Sequence, residues 1–524
     1  MFPEPVAPNA GLSAARRVRE RLAGPTFTAQ IARLYSLRTK VRAGLPRFSN
    51  WNDAEAAERL REAFQLVDAA LVERSGGSDV WQGGLRRAAE ILEWLAEADA
   101  DADSRIPLLS AAAYQIAGYP ARSRSLVENS GDSSVLRHFL AADFPALYGV
   151  LPSLWHKIID EAEEGDPPLE TALLTETLRA LGIISASMRW GDEGRLTAAI
   201  DKLKDASALM LHGGDTVEWL FAKLCGVTGE IYARSALRSQ VGLLAETLTA
   251  TGRSVLERYA RQAYIERHSL VWPSQMAGIR AVLSSRNFAL CTPTGSGKTS
   301  VAELAILQSL FDRTTETLLE GPIALYLVPS RALATEVERR LSRTVTHLAA
   351  DSRITVTGLY GGTDWGPTDA WLTNLGPVVL ICTYEKAEAL LRFIGPLFVR
   401  RVRLVVVDEA HSVNFTGGRA AASSEGNRQL RLESLMMRLL ARLDNGQIRF
   451  AALSAVAQGS EEAISSWIAG SEEAVPIKVA YRSLRQLVGR LLCGPAGYRI
   501  EYDLLDGSEL RLASRSGHED RPYV

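Results

Sequence analysis

Cysteine is scarce in this chain of 524 residues. The four present, Cys225, Cys291, Cys382 and Cys493, stand far apart. No two form a CxxC pair, so a zinc ribbon or a thiol-redox motif is excluded, and the usage suits a reducing compartment, expected to be the cytoplasm. Charge of one sign is also lacking. Lys and Arg number 59 against 61 Asp and Glu, a net charge of −2 with pI about 6.5. No global basic field announces nucleic acid, so such a partner would be held by local groups. Long apolar runs are absent. The first residues, "MFPEPVAPNAGLSAARRVRERLAG", contain no apolar signal core, and no run is long enough to span a bilayer. No membrane partner is therefore expected.

What is present falls into two textures. Hydrophobic residues make up 47% of the chain, and the length suggests about three domains. Residues 1–262 read as helical almost throughout. "LRRAAEILEWLAEA" places Leu85, Ala88, Ala89, Leu92 and Leu95 on one stripe. Residues 111–129 read as two helices joined at Gly118-Tyr119-Pro120, similar to a helical-hairpin repeat of the tetratricopeptide kind, although no regular period can be traced. This domain is a candidate surface for a protein partner. The acidic stretch at 97–103 reads as a solvated loop.

From residue 263 the texture changes. "FALC", "IALYLV", "ITVTGLY", "VVLICTY", "RLVVVDE" and "RFAALSA" alternate with helical segments. This pattern predicts an α/β fold, a parallel sheet covered by helices on both faces, over 263–475. Ligands of such sheets sit at the carboxyl ends of the strands. Residues 476–524 are expected to be a connector, with a hairpin turning at Asp506-Gly507.

The segments after the strands carry the chemistry. "CTPTGSGKTS" follows "FALC" and precedes a helical run with Val301, Leu304 and Ala305 on one face. A turn of backbone N–H groups at a helix start attracts phosphate, and Gly295 and Gly297 permit the close approach. Thr294, Gly295, Ser296 and Gly297 would cradle the phosphates, Lys298 would reach the β/γ-phosphates and Thr299 would ligate Mg²⁺. Thr292 replaces the outermost glycine of the usual pattern. After "LVVV", Asp408 can hold Mg²⁺, and Glu409, pointing differently because strand side chains alternate, can orient and deprotonate an attacking water.

"TPTGSGKT" followed by "DEAH" resembles a superfamily 2 helicase of the DExH type. That family usually has Ala at the outer loop position, so Thr292 is a mild departure. The family implies a RecA-like fold, ATP and Mg²⁺ as cofactors, and a site that includes His411. Other motifs follow in order. "VPSRALATE" resembles motif Ia and implies nucleic-acid contacts at Ser330 and Arg331. "LYGG" implies a glycine pair, Gly361 and Gly362, on the nucleic acid. "CTYEKAEALL" resembles motif Ib, implying Thr383 and Lys386. "LSAVAQ" falls at motif III, implying that Ser454 and Ala455 couple the two ligands. In "WPSQ", Gln275 stands where the family reads adenine. The T-x-E-K form and W-P-S-Q resemble the superkiller-like branch, and helicases of bacterial anti-phage systems look alike. The resemblance covers residues 265–515. It implies sequence-independent binding of RNA or DNA, because phosphate and sugar supply most contacts.

Two departures stand out. Val456 replaces the motif III threonine and loses its hydroxyl. Only 68 residues follow Val456 (524 − 456), fewer than the roughly 150 of a typical domain. A second motor lobe, with its arginine finger, is thus expected on another polypeptide or a missing segment. Two other readings stay open: a nucleotide-gated scaffold with little hydrolysis, and a P-loop ATPase that does not act on nucleic acid.

Overall fold

Six apolar runs become the six strands of one sheet: β1 (Phe288–Cys291), β2 (Ile323–Val328), β3 (Thr355–Leu359), β4 (Val378–Thr383), β5 (Val402–Val407) and β6 (Arg449–Ser454). All pair in parallel, in the order β1-β6-β5-β2-β4-β3. The computed structural model describes residues 8–22, 53–77, 80–98, 105–129, 135–162, 169–213, 216–284, 286–293, 295–317, 320–346, 348, 354–361, 374–413, 428–441, 448–455, 461–469, 475–478, 489–494 and 497–502. Two compact units are present, one spanning Arg234–Arg482, the other Met1–Ala233 together with Ser483–Val524.

The central strands are buried on both faces, which is why they read as continuous apolar runs. On β2, Ala324, Tyr326 and Val328 enter one core, and Ile323, Leu325 and Leu327 enter the other. The first core is covered by the helix Lys298–Phe311, buried from Val301 onward, and by the helix Arg331–Leu341. The second is covered by the helices Tyr384–Val399, Arg428–Ala441 and Glu461–Ala469, among others.

The expected boundary at residue 262 falls inside this unit. The helices Leu237–Ala245 and Ala250–Ile265 bury Leu244, Val255 and Leu256 in the same core as the sheet. Gly252 lies so close to Phe311 that an added Cβ would stand 2.5 Å from the Phe311 Cβ. A helix that covers a sheet has the same sequence periodicity as one in a helical domain, so the pattern could not mark this transition. The expected connector also divides. Ile477 bridges in parallel to Leu290 of β1, whereas β7 (Gly489–Gly494) and β8 (Gly497–Tyr502) form an antiparallel hairpin, with Gly494 paired to Gly497. Asp506-Gly507, where the hairpin was expected to turn, lies outside the described residues.

The helical unit packs neighbour on neighbour: Asp53–Ser75 against Trp81–Ala98, that helix against Ile106–Ile116, and that against Pro120–Asn129. The stripe of Leu85, Ala88, Ala89, Leu92 and Leu95 is buried. Gly118, at φ +88°, makes the turn before Pro120. Under this hairpin Tyr114 donates to Glu93 (2.7 Å), and Arg122 donates to Glu90 and to the Tyr114 hydroxyl oxygen. Buried carboxylates and a buried guanidinium are tolerated because they meet one another.

Candidate functional site

The phosphate loop leaves β1 at a buried point. Thr292 is fully buried, and its N–H donates to the Ser454 carbonyl at the end of β6 (3.2 Å). Its hydroxyl lies 2.7 Å from the Ser296 hydroxyl. A hydroxyl therefore ties the two ends of the turn together where the usual pattern has only a small residue. Gly295 and Gly297 both have φ +81°, a region costly for residues with a Cβ. Gly297 also has no room, since an added Cβ would stand 2.2 Å from Gln275 Nε2. Thr294 lies outside the described residues. Lys298 opens the helix and turns back, with Nζ donating to the carbonyls of Thr292 (2.8 Å) and Pro293 (3.3 Å). Burial lowers its pKa, while the charges of Glu409 and Asp408 act in the opposite sense. Thr299 is the second residue of the helix.

Gln275 sits against this loop. Its Oε1 accepts from the Trp272 N–H (2.8 Å), which closes the first turn of the helix Pro273–Leu283. The neighbouring Ser274 hydroxyl donates to the Ser296 carbonyl (2.9 Å).

Asp408 and Glu409 follow β5. Asp408 Oδ2 accepts from the Tyr326 hydroxyl (2.8 Å) and Oδ1 from the Glu409 N–H (2.9 Å). The Tyr384 hydroxyl donates to the Asp408 main-chain carbonyl (2.9 Å). Burial pushes the Asp408 carboxyl up from its ordinary value, and the hydrogen bonds from Tyr326 and Glu409 pull the other way. Glu409 itself has φ +50°, a strained region for a non-glycine residue. That backbone turns its carboxylate toward His411, whose Nδ1 lies 3.2 Å from Glu409 Oε2 and 3.4 Å from Ser454 Oγ. Ser454 Oγ donates to the Ala455 carbonyl (2.8 Å). Val456 lies outside the described residues.

The strand order sorts these groups. The phosphate loop, Ser454 and the Asp408-Glu409 pair end the neighbouring strands β1, β6 and β5. The other residues expected to touch nucleic acid end the other three strands, β2, β4 and β3. Val328 pairs with Thr383, and Leu359 with Cys382, so the three ends are level. Ser330 caps the helix Arg331–Leu341 by accepting from the Leu333 N–H (3.2 Å), and both Ser330 and Arg331 are exposed. Gly361 is exposed, with nothing within 4 Å of an added Cβ. Thr383 is only 5% exposed, and Lys386 is half-buried. Gly362 lies outside the described residues. Sequence reasoning missed Tyr326, Tyr384 and Ser274. The one signal for the first was a tyrosine in an otherwise aliphatic run.

The fit to Mg²⁺ and a triphosphate rests on two of these observations. A carboxylate whose charge is penalised by burial is what a cation stabilises, and Gly295 and Gly297, both at positive φ just before a helix start, allow a phosphate to approach the backbone closely. Among the described residues no cluster of three or more His, Cys, Asp or Glu could hold a metal. No described helix is long and apolar enough to cross a membrane.

A parallel sheet in this order, with this loop after its first strand, defines a RecA-like P-loop lobe. Residues 272–463 match the family model of the DEAD/DEAH box helicase, and this segment is a DEAD/DEAH box helicase domain. The chain is 27% identical over 416 residues to the Hachiman protein HamB of Bacillus cereus, a match covering 78% of this chain and 35% of that one. It is 35% identical over 211 residues to the ATP-dependent DNA helicase Hel308 of Aeropyrum pernix, covering 40% and 24%. Among solved structures it is similar to the Mycobacterium smegmatis helicase Lhr bound to ssDNA and AMP-PNP, at 25% identity and TM-score 0.33, covering 45% and 28%. The chain thus spans about a third or less of the length of these relatives.

Proposed function

We propose that the chain supplies the first motor lobe of an ATP-dependent nucleic-acid helicase or translocase. The observation that carries this reading is that the Gly-Lys-Thr loop, Ser454 and the Asp408-Glu409 pair follow the adjacent strands β1, β6 and β5, while the residues proposed to meet nucleic acid follow β2, β4 and β3. Thr294 to Gly297 and Lys298 bind the triphosphate, Thr299 and Asp408 would hold Mg²⁺, and Gln275 reads adenine. Bound Mg²⁺ would neutralise charge on the phosphates. Glu409 orients the attacking water and accepts its proton. Ser330, Arg331, Gly361, Gly362, Thr383 and Lys386 meet the sugar-phosphate backbone of RNA or DNA without reading bases. Ser454, one hydrogen bond from the phosphate loop and near His411, links the two halves with Ala455.

The match to the Hachiman protein is longer than the motor lobe, so it reaches into the helical unit. This supports a role in anti-phage defence, in the cytoplasm, with the helical unit meeting a protein partner. A second lobe completes the ATP site by supplying an arginine finger.

The test is ATPase turnover of the purified 524-residue chain, with and without single-stranded nucleic acid, and with and without a polypeptide supplying a second lobe. Nucleic-acid-dependent turnover that rises about a hundredfold with the second lobe supports the motor reading. Turnover indifferent to nucleic acid favours an ATPase of another kind. Nucleotide-dependent binding without turnover in any mixture favours a scaffold.

A further inference from the structure

β2 reads Ile-Ala-Leu-Tyr-Leu-Val, and its fourth residue departs from the pattern. Tyr326 is fully buried at the centre of the sheet, flanked by Ile381 on β4 and Val406 on β5. A phenol at such a position requires a hydrogen-bond partner, because an unpaired buried hydroxyl costs more than an aliphatic side chain of similar shape. Its partner is Asp408 Oδ2, at 2.8 Å. The second carboxylate oxygen accepts from the Glu409 N–H, and the Asp408 carbonyl accepts from Tyr384. Asp408 is thereby held in side chain and backbone by donors from β2 and from the first residue of the helix that follows β4. Without the phenol, one side-chain donor would remain, and the carboxylate could rotate about its last bond.

We propose that Tyr326 is a positioning residue for the metal site: its hydroxyl holds the Asp408 carboxylate in the orientation that receives the divalent cation accompanying the nucleotide. Tyr326 does not touch the cation or the nucleotide. It acts as hydrogen-bond partners of metal-ligating carboxylates generally do, by restricting their orientation, and removal of such a partner typically lowers metal affinity by about 10–100-fold. The inference rests on the assignment of Asp408 to Mg²⁺ given above.

The test measures binding of a fluorescent ATP analogue to the full chain, first in EDTA and then in a MgCl₂ titration, for wild type, Tyr326→Phe and Asp408→Asn. Tyr326→Phe should bind the analogue in EDTA as wild type does and require about tenfold more Mg²⁺ for half of the metal-dependent gain in affinity. Asp408→Asn should lose most of that gain. A Mg²⁺ midpoint of Tyr326→Phe within twofold of wild type, with Asp408→Asn impaired, overturns the role of Tyr326 alone. A normal midpoint in Asp408→Asn overturns the assignment of the metal site itself. Tyr326→Met removes the same donor with a flexible filler, and it must shift the midpoint in the same direction. Circular dichroism separates a metal defect from misfolding.

Discussion

Lys298 Nζ donates to the Thr292 carbonyl oxygen at 2.8 Å, across the mouth of the loop that both residues bound. The ammonium is thus held by two carbonyls of its own turn, at the place where phosphate oxygens would compete for it. Lys298→Ala should lower ATP affinity by about a hundredfold or more, the usual scale for truncating one partner of a buried charge pair. Equilibrium binding of a fluorescent nucleotide checks this, and affinity within a few-fold of wild type would remove the phosphate-loop assignment.

The same lysine has a pH signature. Burial holds its pKa below the ordinary 10.5. Its charged form is therefore penalised in the fold. The penalty is fully present below the folded pKa and disappears as pH rises through it toward 10.5. Wild type should gain stability over that window from this group, and Lys298→Met should not. The Tm of Lys298→Met minus that of wild type, measured without nucleotide, should fall between pH 7 and pH 10. A difference that grows with pH would contradict the sign.

Glu409→Gln keeps the size and strained backbone of the site and removes the base. Nucleotide affinity with Mg²⁺ should stay within a few-fold of wild type. In an assembly that turns over ATP, the rate should fall by about 10²–10⁴. A single-turnover assay separates this from a binding defect, and an unchanged rate would take Glu409 out of catalysis.

Glu303 lies on the phosphate-loop helix and is 4% exposed. Its two oxygens accept from Tyr259 (3.0 Å) and from Arg340 (3.0 Å). Glu303→Ala takes away the acceptor of the buried Tyr259 O–H and should cost about 2 kcal/mol, or several degrees in Tm. The Arg340 side chain is 49% exposed, so Arg340→Ala should cost under about 1 kcal/mol. Thermal melts of both variants give the order, and a larger loss for Arg340→Ala would refute the argument.

Gln275 has one amide atom committed to the Trp272 N–H, and its Nε2 faces Gly297. Gln275→Ala should bring ATP and GTP affinities to within about twofold of each other, if the amide reads adenine as proposed. It should also cost on the order of 1 kcal/mol through the lost helix-start hydrogen bond. Competition binding with both triphosphates decides the first, and equal affinities in wild type would count against adenine reading.

The strands were legible because burial on both faces writes itself as uninterrupted apolar runs. "FALC" is β1 to the residue, and "IALYLV" is β2. The helical stripe at Leu85 to Leu95 was legible for the same kind of reason, a period of one helix turn. The strand order was not legible, since nothing local to Val402 or Arg449 specifies that β5 and β6 separate β1 from β2. The Tyr326–Asp408 hydrogen bond spans 82 residues of sequence and follows only from that order. The helices at 237–265 were assigned to the wrong neighbour because an amphipathic pattern records that a face is covered, not what covers it.

Ile477 gives the sheet a mechanical property. It donates to the Ala289 carbonyl and accepts from the Cys291 N–H, outside β1 and parallel to it. A pull on the chain beyond Ile477 along the strand axis loads these two hydrogen bonds in shear, the geometry in which both must break together. The load enters β1 one residue before Thr292, where the phosphate loop begins. Tension on the polypeptide after Ile477 would thereby reach the start of the Gly-Lys-Thr loop through one hydrogen bond to Cys291 and the peptide bond to Thr292.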